Sequence, residues 1–290
     1  MLQPMTATSK QKLLGQQHTQ AMTRYLDERG VALLYWPAGQ PKPNGTIQGS
    51  GTCVRIGARY LIATAAHVVR DHQEAKIAPT DIFIVTDRAK RMASERVPIK
   101  GIGSRGGGQF DEVDVGWLEL DPEVATKLAR DWVTVDQFRL RVPELPSDMA
   151  FVYGCPAELI DKERMNEKFH IHVRPFGYAS GTLDGTERPS RGTLMHDLFV
   201  YYSLGGNRST DGVPAMAPRP HGLSGCAIWA LDANRPGLWT PDNARLIGIE
   251  HAWSRTENWI RGTQIQHWLG LVRDDIPALQ STIDPILAGA

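Results

Sequence analysis

The sequence predicts an all-β protein, and three observations support this prediction. The 290 residues include 28 glycines and 19 prolines, as expected of a fold with many turns. Apolar runs of strand length recur along the chain and are separated by segments rich in turn-forming residues. The hydrophobic fraction of 41% and the charged fraction of 22% are ordinary for a soluble globular protein. At this length, an all-β chain commonly forms one large domain.

The charge balance and the cysteines exclude several other classes. Lys plus Arg equals Asp plus Glu at 32 each, so no net field favours nucleic acid or an anionic membrane as a partner. The first ten residues lack the apolar core of a secretory signal, which predicts a cytoplasmic protein. Cys53, Cys155 and Cys226 suit neither a disulfide framework nor a zinc site, so we expect free buried thiols in a reducing compartment.

The elements can be placed along the chain from local patterns. Residues 8–29 predict a helix that ends at Gly30, and it is either a regulatory or docking arm or a cover for an edge strand. A second helix is predicted at 263–272, and the five glycines within 101–108 predict a loop. Strands are predicted at 31–36, 49–56, 60–64, 81–86, 96–99, 114–120, 149–156, 169–173, 198–203, 226–231 and 246–251.

The stretch His-Gly-Leu-Ser-Gly-Cys-Ala-Ile-Trp at 221–229 carries the most chemical information. A serine between glycines, followed at once by an apolar strand, can sit on a sharp turn with its hydroxyl exposed and its amide free. Two stretches upstream add to this: Leu-Ile-Ala-Thr-Ala-Ala-His ends on His67, and Asp-Val-Gly-Trp-Leu opens a strand with Asp114. A base, an orienting carboxylate and a nucleophile therefore occur in the order His67, Asp114, Ser224.

These three stretches resemble the trypsin-like serine peptidases of the chymotrypsin fold, over about residues 49 to 272. The resemblance implies two six-stranded antiparallel β-barrels with an N-terminal helical extension and a C-terminal helix. The implied boundaries are 1–30 for the extension and 31–290 for the peptidase domain, with a first barrel at about 31–120, a linker at about 121–146, a second barrel at about 147–262 and the C-terminal helix at about 263–273.

The resemblance also assigns the site. It implies that His67 is the general base, that Asp114 orients it and that Ser224 is the nucleophile. The backbone amides of Gly222 and Ser224 are implied to form the oxyanion hole. Asp111 is an alternative orienting residue, but Asp114 is favoured because it directly precedes the strand. The resemblance implies no metal and no cofactor.

A strand at 246–253 is implied to form one wall of the primary specificity pocket. Relatives that cut after acidic residues or glutamine carry a Gly-Ile-His pattern in this strand, whereas this chain has Gly-Ile followed by Glu250. A partly buried carboxylate would favour Arg or Lys on the acyl side of the scissile bond. Alternation along a strand lets one of two neighbours point inward, so the alternative is that His251 faces the substrate and Glu250 pairs with an arginine.

One departure from the secreted relatives concerns activation. They carry an aspartate before the serine that pairs with a newly cut N-terminus, whereas Leu223 stands at this position.

We expect an intracellular, bacterial-type serine endopeptidase of narrow specificity that acts on proteins or peptides through an acyl-enzyme. A regulatory protein partner and a role as an effector in bacterial stress or defence are further predictions. The alternative is a catalytically silent binding module of the same fold.

Overall fold

The computed structural model describes residues 9–35, 46–74, 82–85, 95–96, 98–107, 112–140, 149–161, 172–182, 195–209, 213–231 and 239–289. Two antiparallel sheets form the framework of the fold, which confirms the predicted all-β class. The helices are α1 (Ser9–Asp27), α2 (Ala66–Glu74), α3 (Pro122–Lys127), α4 (Ile265–Asp275) and α5 (Gln280–Ala288). Among the helices described, none has the length and apolar character needed to cross a bilayer.

The first sheet has six longer strands and two short ones. Its strands are β1 (Gly30–Tyr35), β2 (Thr46–Ile56), β3 (Arg59–Thr64), β4 (Ile82–Val85), β5 (Glu95–Arg96), β6 (Ile99–Gly106), β7 (Asp114–Leu120) and β8 (Val133–Thr134). The order β5-β4-β1-β2-β3-β7-β6 is antiparallel throughout. The two-residue β8 runs parallel to the end of the long β2, beyond the part that β1 covers.

The second sheet also has six strands, in the order β12-β9-β16-β17-β18-β13, all antiparallel. A single bridge between Thr182, just after β12, and Val200 of β13 brings its two edges together. The strands of this half are β9 (Met149–Gly154), β10 (Ile160–Asp161), β11 (His172–Val173), β12 (Phe176–Gly181), β13 (Asp197–Tyr201), β14 (Asn207–Arg208), β15 (Pro214–Ala215), β16 (Ala227–Ala230), β17 (Arg245–Ser254) and β18 (Trp259–Gln264), of which β10–β11 and β14–β15 form separate pairs.

Helix α1 packs into the core. Its Met22 and Leu26 are buried and belong to the same apolar cluster as Val54 of the first sheet, Trp229 of the second sheet and Trp268 of α4. A surface arm would expose these side chains, so the structure favours the packed interpretation of the N-terminal helix. The cluster also shows that the two sheets and the C-terminal helices share one core.

The glycine-rich segment that predicts a loop is largely a strand. Residues 101–106 belong to β6, which pairs with β7 as far as Gly106 opposite Asp114. A Cβ at Gly101 would lie 3.0 Å from Cζ3 of Trp117, so the absence of a side chain there makes room for the buried indole. The glycine therefore serves packing between neighbouring strands, which a turn-forming composition alone does not reveal.

The sequence pattern also misplaces elements in the second half. The C-terminal helix begins at Ile265, because Thr263 and the residue after it belong to β18, a strand that the pattern does not predict. Helix α5 and strand β12 are likewise unpredicted. Of the strand predicted at 169–173, only His172 and Val173 lie within the described residues, where they form β11.

Candidate active site

The antiparallel pairing of β3 and β7 brings His67 and Asp114 together. Thr64, which ends β3, pairs with Gly116 near the start of β7, so the turn after β3 lies beside Asp114. His67 is the second residue of α2, and its Nδ1 lies 2.8 Å from Oδ2 of Asp114. Its backbone amide donates to Oδ1 of the same carboxylate at 3.2 Å. The carboxylate thus fixes both the backbone and the ring of His67, and Nε2 is the nitrogen placed to act as a base.

Asp114 is also anchored by the second sheet. Its amide donates to Oγ1 of Thr263 at 3.1 Å. Burial raises the pKa of Asp114, but the hydrogen bond and charge of His67 and the charge of His251 outweigh burial, and the net pKa is lowered. The group is therefore ionised at neutral pH, as an orienting carboxylate must be. Asp111, the alternative orienting residue, lies outside the described residues.

Ser224 lies on a sharp turn ahead of β16. The turn is flanked by Gly222 and Gly225, both at φ of +90°, a conformation that a side chain disfavours. Between them, the side chain of Leu223 is fully buried in the apolar cluster of the second sheet. The leucine that stands where secreted relatives carry an aspartate thus anchors the turn by apolar burial.

The two amides predicted to form an oxyanion hole are not engaged elsewhere. Within the part of the chain that the structure describes, neither the Gly222 amide nor the Ser224 amide donates to a backbone carbonyl, whereas the Leu223 amide between them donates to the Pro220 carbonyl at 2.8 Å. Two unbonded amides on either side of a bonded one offer a pair of donors to a developing negative charge.

The carbonyl ends of the same two peptide planes are fixed. The His221 carbonyl, in one plane with the Gly222 amide, accepts from Ala157 at 2.7 Å. The Leu223 carbonyl, in one plane with the following amide, accepts from Cys226 at 2.8 Å. Because a trans peptide is planar and its N–H opposes its C=O, these bonds set the direction in which both amides point.

Ser50 of β2 connects the serine turn to the first sheet. Its amide donates to the Ser224 carbonyl at 2.7 Å, and its Oγ donates to the Gly222 carbonyl at 2.7 Å. Thr64, three residues before His67, donates from Oγ1 to the Ser50 carbonyl at 2.8 Å. The sequence pattern does not predict this role; the signal is Gly49, where a Cβ would collide with the Ser224 carbonyl oxygen, so that a glycine lets the two backbones approach.

Strand β17 buries both Glu250 and His251. The expectation that only one of them points inward is wrong, because the pairing of β17 with β18 shifts register between Glu250 and Ala252, which makes His251 the extra residue of a β-bulge. Glu250 is 1% exposed, and its Oε2 has no hydrogen-bond partner among the described residues. The side chain of His251 is 5% exposed and lies between Asp114 and Asp197.

Glu250 lies directly beside the nucleophile turn. Its amide donates to the Cys226 carbonyl at 2.8 Å, and its carbonyl accepts from the Gly225 amide at 2.7 Å. Burial raises the pKa of Glu250 well above its ordinary value, and the negative charge of Asp114 raises it further. Burial and the nearby negative charge of Asp114 thus both favour the protonated form of this carboxyl group.

The three cysteines are buried and free, which confirms the prediction of free thiols. Burial raises the pKa of Cys53 and of Cys155 to about 12, and it raises that of Cys226 well above the ordinary value. Each thiol is thus protonated and unreactive in the folded protein. In the described part of the chain, no three His, Cys, Asp or Glu side chains are grouped so that they could hold a metal ion.

Comparison with solved structures identifies the architecture. No family model and no curated protein sequence matches the chain. The inactivated protease paralogue S-I1 of the scabies mite aligns over 89% of this chain and 98% of its own, with 15% identity and a TM-score of 0.54. HBP aligns over 89% and 93%, with 12% identity and a TM-score of 0.50. A thermostable serine protease, AL20, aligns over 82% and 91% with 12% identity and a TM-score of 0.46.

The fold is that of the chymotrypsin-like serine proteases. At such low identity the alignments show the fold alone, and one of the chymotrypsin-like neighbours is itself an inactivated paralogue. In this chymotrypsin-like chain, Asp114 begins β7 of the first sheet, His67 lies on α2 just after β3 of that sheet, and the turn with Ser224 precedes β16 of the second sheet. The bonds through Ser50 join these two parts.

Proposed function

We propose that this protein is a serine endopeptidase in which Ser224 is the nucleophile, His67 the general base and Asp114 the orienting carboxylate. The observation that supports it most directly is the 2.8 Å contact between Nδ1 of His67 and Oδ2 of Asp114. The turn that carries Ser224 adds two unbonded amides whose peptide planes are fixed. A fold alone does not imply activity, so the proposal rests on these residues.

The geometry supports an acyl-enzyme mechanism. Nε2 of His67 takes the proton from Oγ of Ser224 as the oxygen attacks the carbonyl carbon of the substrate. The resulting oxyanion accepts hydrogen bonds from the amides of Gly222 and Ser224, each worth about 3 kcal/mol of transition-state stabilisation. His67 then protonates the leaving amine. In the second half of the reaction, His67 takes a proton from the attacking water and returns it to Oγ of Ser224 as the acyl group leaves.

The specificity proposal concerns Glu250, whose buried Oε2 has no described hydrogen-bond partner. An Arg or Lys side chain on the acyl side would lower the raised pKa of this carboxyl group and form a charge-assisted hydrogen bond with it. A peptide library should then show a basic preference that Glu250→Gln removes. The preference should also weaken as the pH falls, because the neutral acid does not attract a cation. A basic preference that survives in Glu250→Gln would contradict this assignment.

A catalytically silent binding module is the second candidate, and the similarity to the inactivated scabies mite paralogue favours it. A fluorophosphonate probe distinguishes the two candidates, because it reacts only with an activated serine. We expect stoichiometric labelling of the wild-type protein at Ser224 and none of Ser224→Ala. Absence of labelling in the folded wild-type protein would support the binding module instead.

The cellular setting is part of the proposal. Three free buried thiols suit a reducing compartment such as the cytoplasm, where an endopeptidase would need narrow specificity. A search for new protein termini in cells, comparing the wild-type protein with Ser224→Ala, would identify the substrates. The regulatory partner and the role in bacterial stress or defence stay predictions.

A further inference from the structure

A row of charged side chains continues from Asp114 into the second sheet. Nδ1 of His251 lies 3.7 Å from Oδ2 of Asp114, the same oxygen that contacts His67. On its other side, Nε2 of His251 lies 3.7 Å from Oδ1 of Asp197. Nε of Arg261 lies 2.9 Å from that Asp197 oxygen. The strands β7, β17, β13 and β18 thus each contribute one member of the row.

The row is shielded from solvent, so the charges depend on one another. The exposed fraction of the side chain is 5% for His251, 0% for Asp197 and 12% for Arg261. A buried carboxylate is costly unless a positive charge or hydrogen bonds compensate it. An imidazolium carries an N–H on each ring nitrogen and can serve two carboxylates at once. The ring of His251 lies between two such carboxylates, and Arg261 lies beyond the second of them.

The backbone is built to place His251 here. Its strand carries a β-bulge at this residue, so both Glu250 and His251 point into the protein. A regular strand would direct one of the two to the opposite face. Bulges of this kind re-aim a side chain at the expense of regular pairing.

We propose that His251 is a positioning residue: it holds the Asp114 carboxylate in the orientation in which Oδ2 contacts His67, and Asp197 with Arg261 holds His251. The inference rests on the proposed peptidase function, in which the pair of Asp114 and His67 orients the base. Removing His251 should leave Asp114 able to turn away from His67 while the nucleophile turn stays in place.

Other groups also face Asp114 and are part of the test. They are His67 from α2, the Thr263 hydroxyl from β18 and the buried Glu250 from β17, whose pKa Asp114 raises. Asp197 in turn faces Arg261 and influences His267 of α4. A substitution at His251 removes the ring that lies against Asp114 Oδ2, so its effect can be read at His67, which contacts the same oxygen.

The first experiment does not need activity. In a Ser224→Ala background, NMR follows the titration of the His67 ring and the downfield proton that Nδ1 shares with Asp114. In His251→Gln, the titration midpoint of His67 should shift by about 0.5–1 pH unit, because the Asp114 carboxylate loses the ring that lies against its Oδ2. The downfield proton should weaken, because Asp114 is less fixed. An unchanged midpoint together with an unchanged downfield proton would overturn the proposal.

His196→Gln is the matched control, since His196 is partly buried and adjacent to Asp197 in sequence but contacts His267 and Glu112. It should change neither reading at His67. Asp197→Asn provides a second route if His251→Gln does not fold, because it releases His251 without replacing it. Asp197→Asn should weaken the downfield proton as well, and a spectrum identical to that of the wild type would count against the row.

The second experiment measures turnover on a substrate found with the active enzyme. His251→Gln should lower kcat by about 10–100-fold, the usual effect of a partner behind a functional side chain, with KM within about twofold. The effects of His251→Gln and Asp197→Asn on kcat should not be additive in the double variant. An equal loss in His196→Gln, or simple additivity, would show a general structural effect. A wild-type protein without activity would contradict the proposed function, while the NMR experiment still tests His251.

Discussion

Ser50 in the first sheet donates a hydrogen bond from Oγ to the Gly222 carbonyl in the second sheet, over a distance of 2.7 Å. The same hydroxyl oxygen accepts from the Cys155 amide at 2.9 Å. Both bonds are buried, and they join the nucleophile turn to the residue that follows β9 through one side chain of the first sheet. The position of the nucleophile turn thus depends on a residue that takes no part in the proposed chemistry.

Ser50→Ala should therefore loosen the turn. We expect kcat to fall by about tenfold or more with little change in KM, and the free energy of unfolding to fall by about 1–3 kcal/mol, because the Gly222 carbonyl and the Cys155 amide lose their partner. Ser50→Thr keeps an Oγ and should retain most of both properties. Steady-state kinetics and denaturant unfolding measure the effects, and full turnover in Ser50→Ala would refute the role.

The proposed triad should behave as one unit. Ser224→Ala, His67→Ala and Asp114→Asn should each fold and each lower kcat by about 10⁴ or more, with no further loss in double variants. Asp111→Asn is the control and should stay within about twofold of the wild type. If Asp111→Asn is the more damaging of the two aspartate variants in folded protein, the orienting residue is not Asp114.

Glu250 should make stability fall as pH rises. Its pKa is raised in the folded state by burial and by the charge of Asp114, whereas the unfolded chain releases this proton near pH 4.3, the approximate value for an unperturbed glutamate. The favourable term is thus complete below that pH and is lost between there and the folded pKa, at about 1.4 kcal/mol per pH unit.

Glu250→Gln removes this dependence. Denaturant unfolding should be measured at a series of pH values from about 4 to 9. The free energy of unfolding of the variant should rise relative to that of the wild type as the pH rises. The control is Glu123→Gln, on the exposed face of α3. Gln137→Glu would be a poor control, because Gln137 forms a hydrogen bond with Tyr25. A constant difference between wild type and Glu250→Gln across this range would contradict the raised pKa.

The thiols should be silent in the native protein. Burial raises the pKa of Cys53 and Cys155 to about 12, so little thiolate exists at pH 8 and access is blocked. A thiol reagent should label none of the three cysteines in native protein within minutes and all three in denaturant without reductant. Rapid labelling of the native protein would show that the buried sites of these cysteines open to solvent.

Met22 tests the packing of helix α1. Met22→Ala should lower the free energy of unfolding by about 2–5 kcal/mol, because it leaves a cavity in the shared core. Gln20→Ala, on the exposed side of the same helix, should change it by less than about 0.5 kcal/mol. Equal and small effects at both positions would mean that the helix does not contribute to the core.

The local signals in the sequence were sufficient to predict the fold class and the segments that carry the three residues of the proposed triad. Thr64 to His67, the start of β7 at Asp114 and the turn around Ser224 each occupy a few consecutive residues, so their patterns are visible without knowledge of distant partners. The pairing of β3 with β7, which brings His67 and Asp114 together, follows once the fold class is known.

Features that depend on distant partners were not predictable. The glycines of β6 accommodate Trp117 on another strand, and no pattern within residues 101–106 shows this. The β-bulge at His251 is a relation between β17 and β18, so simple alternation fails there. Ser50 gains its role from a turn that lies more than 170 residues away.

The buried face of α1 has a consequence for the order in which the protein acquires its structure. Met22 and Leu26 share a cluster with Trp268, Leu279 and Ile283. During synthesis, this helix therefore leaves the ribosome long before the surfaces that cover it exist. Contacts between positions so distant along the chain form slowly, and a helix whose apolar face waits for its partners is exposed to aggregation. We expect the yield of folded protein to depend on chaperones or on a slow rate of translation.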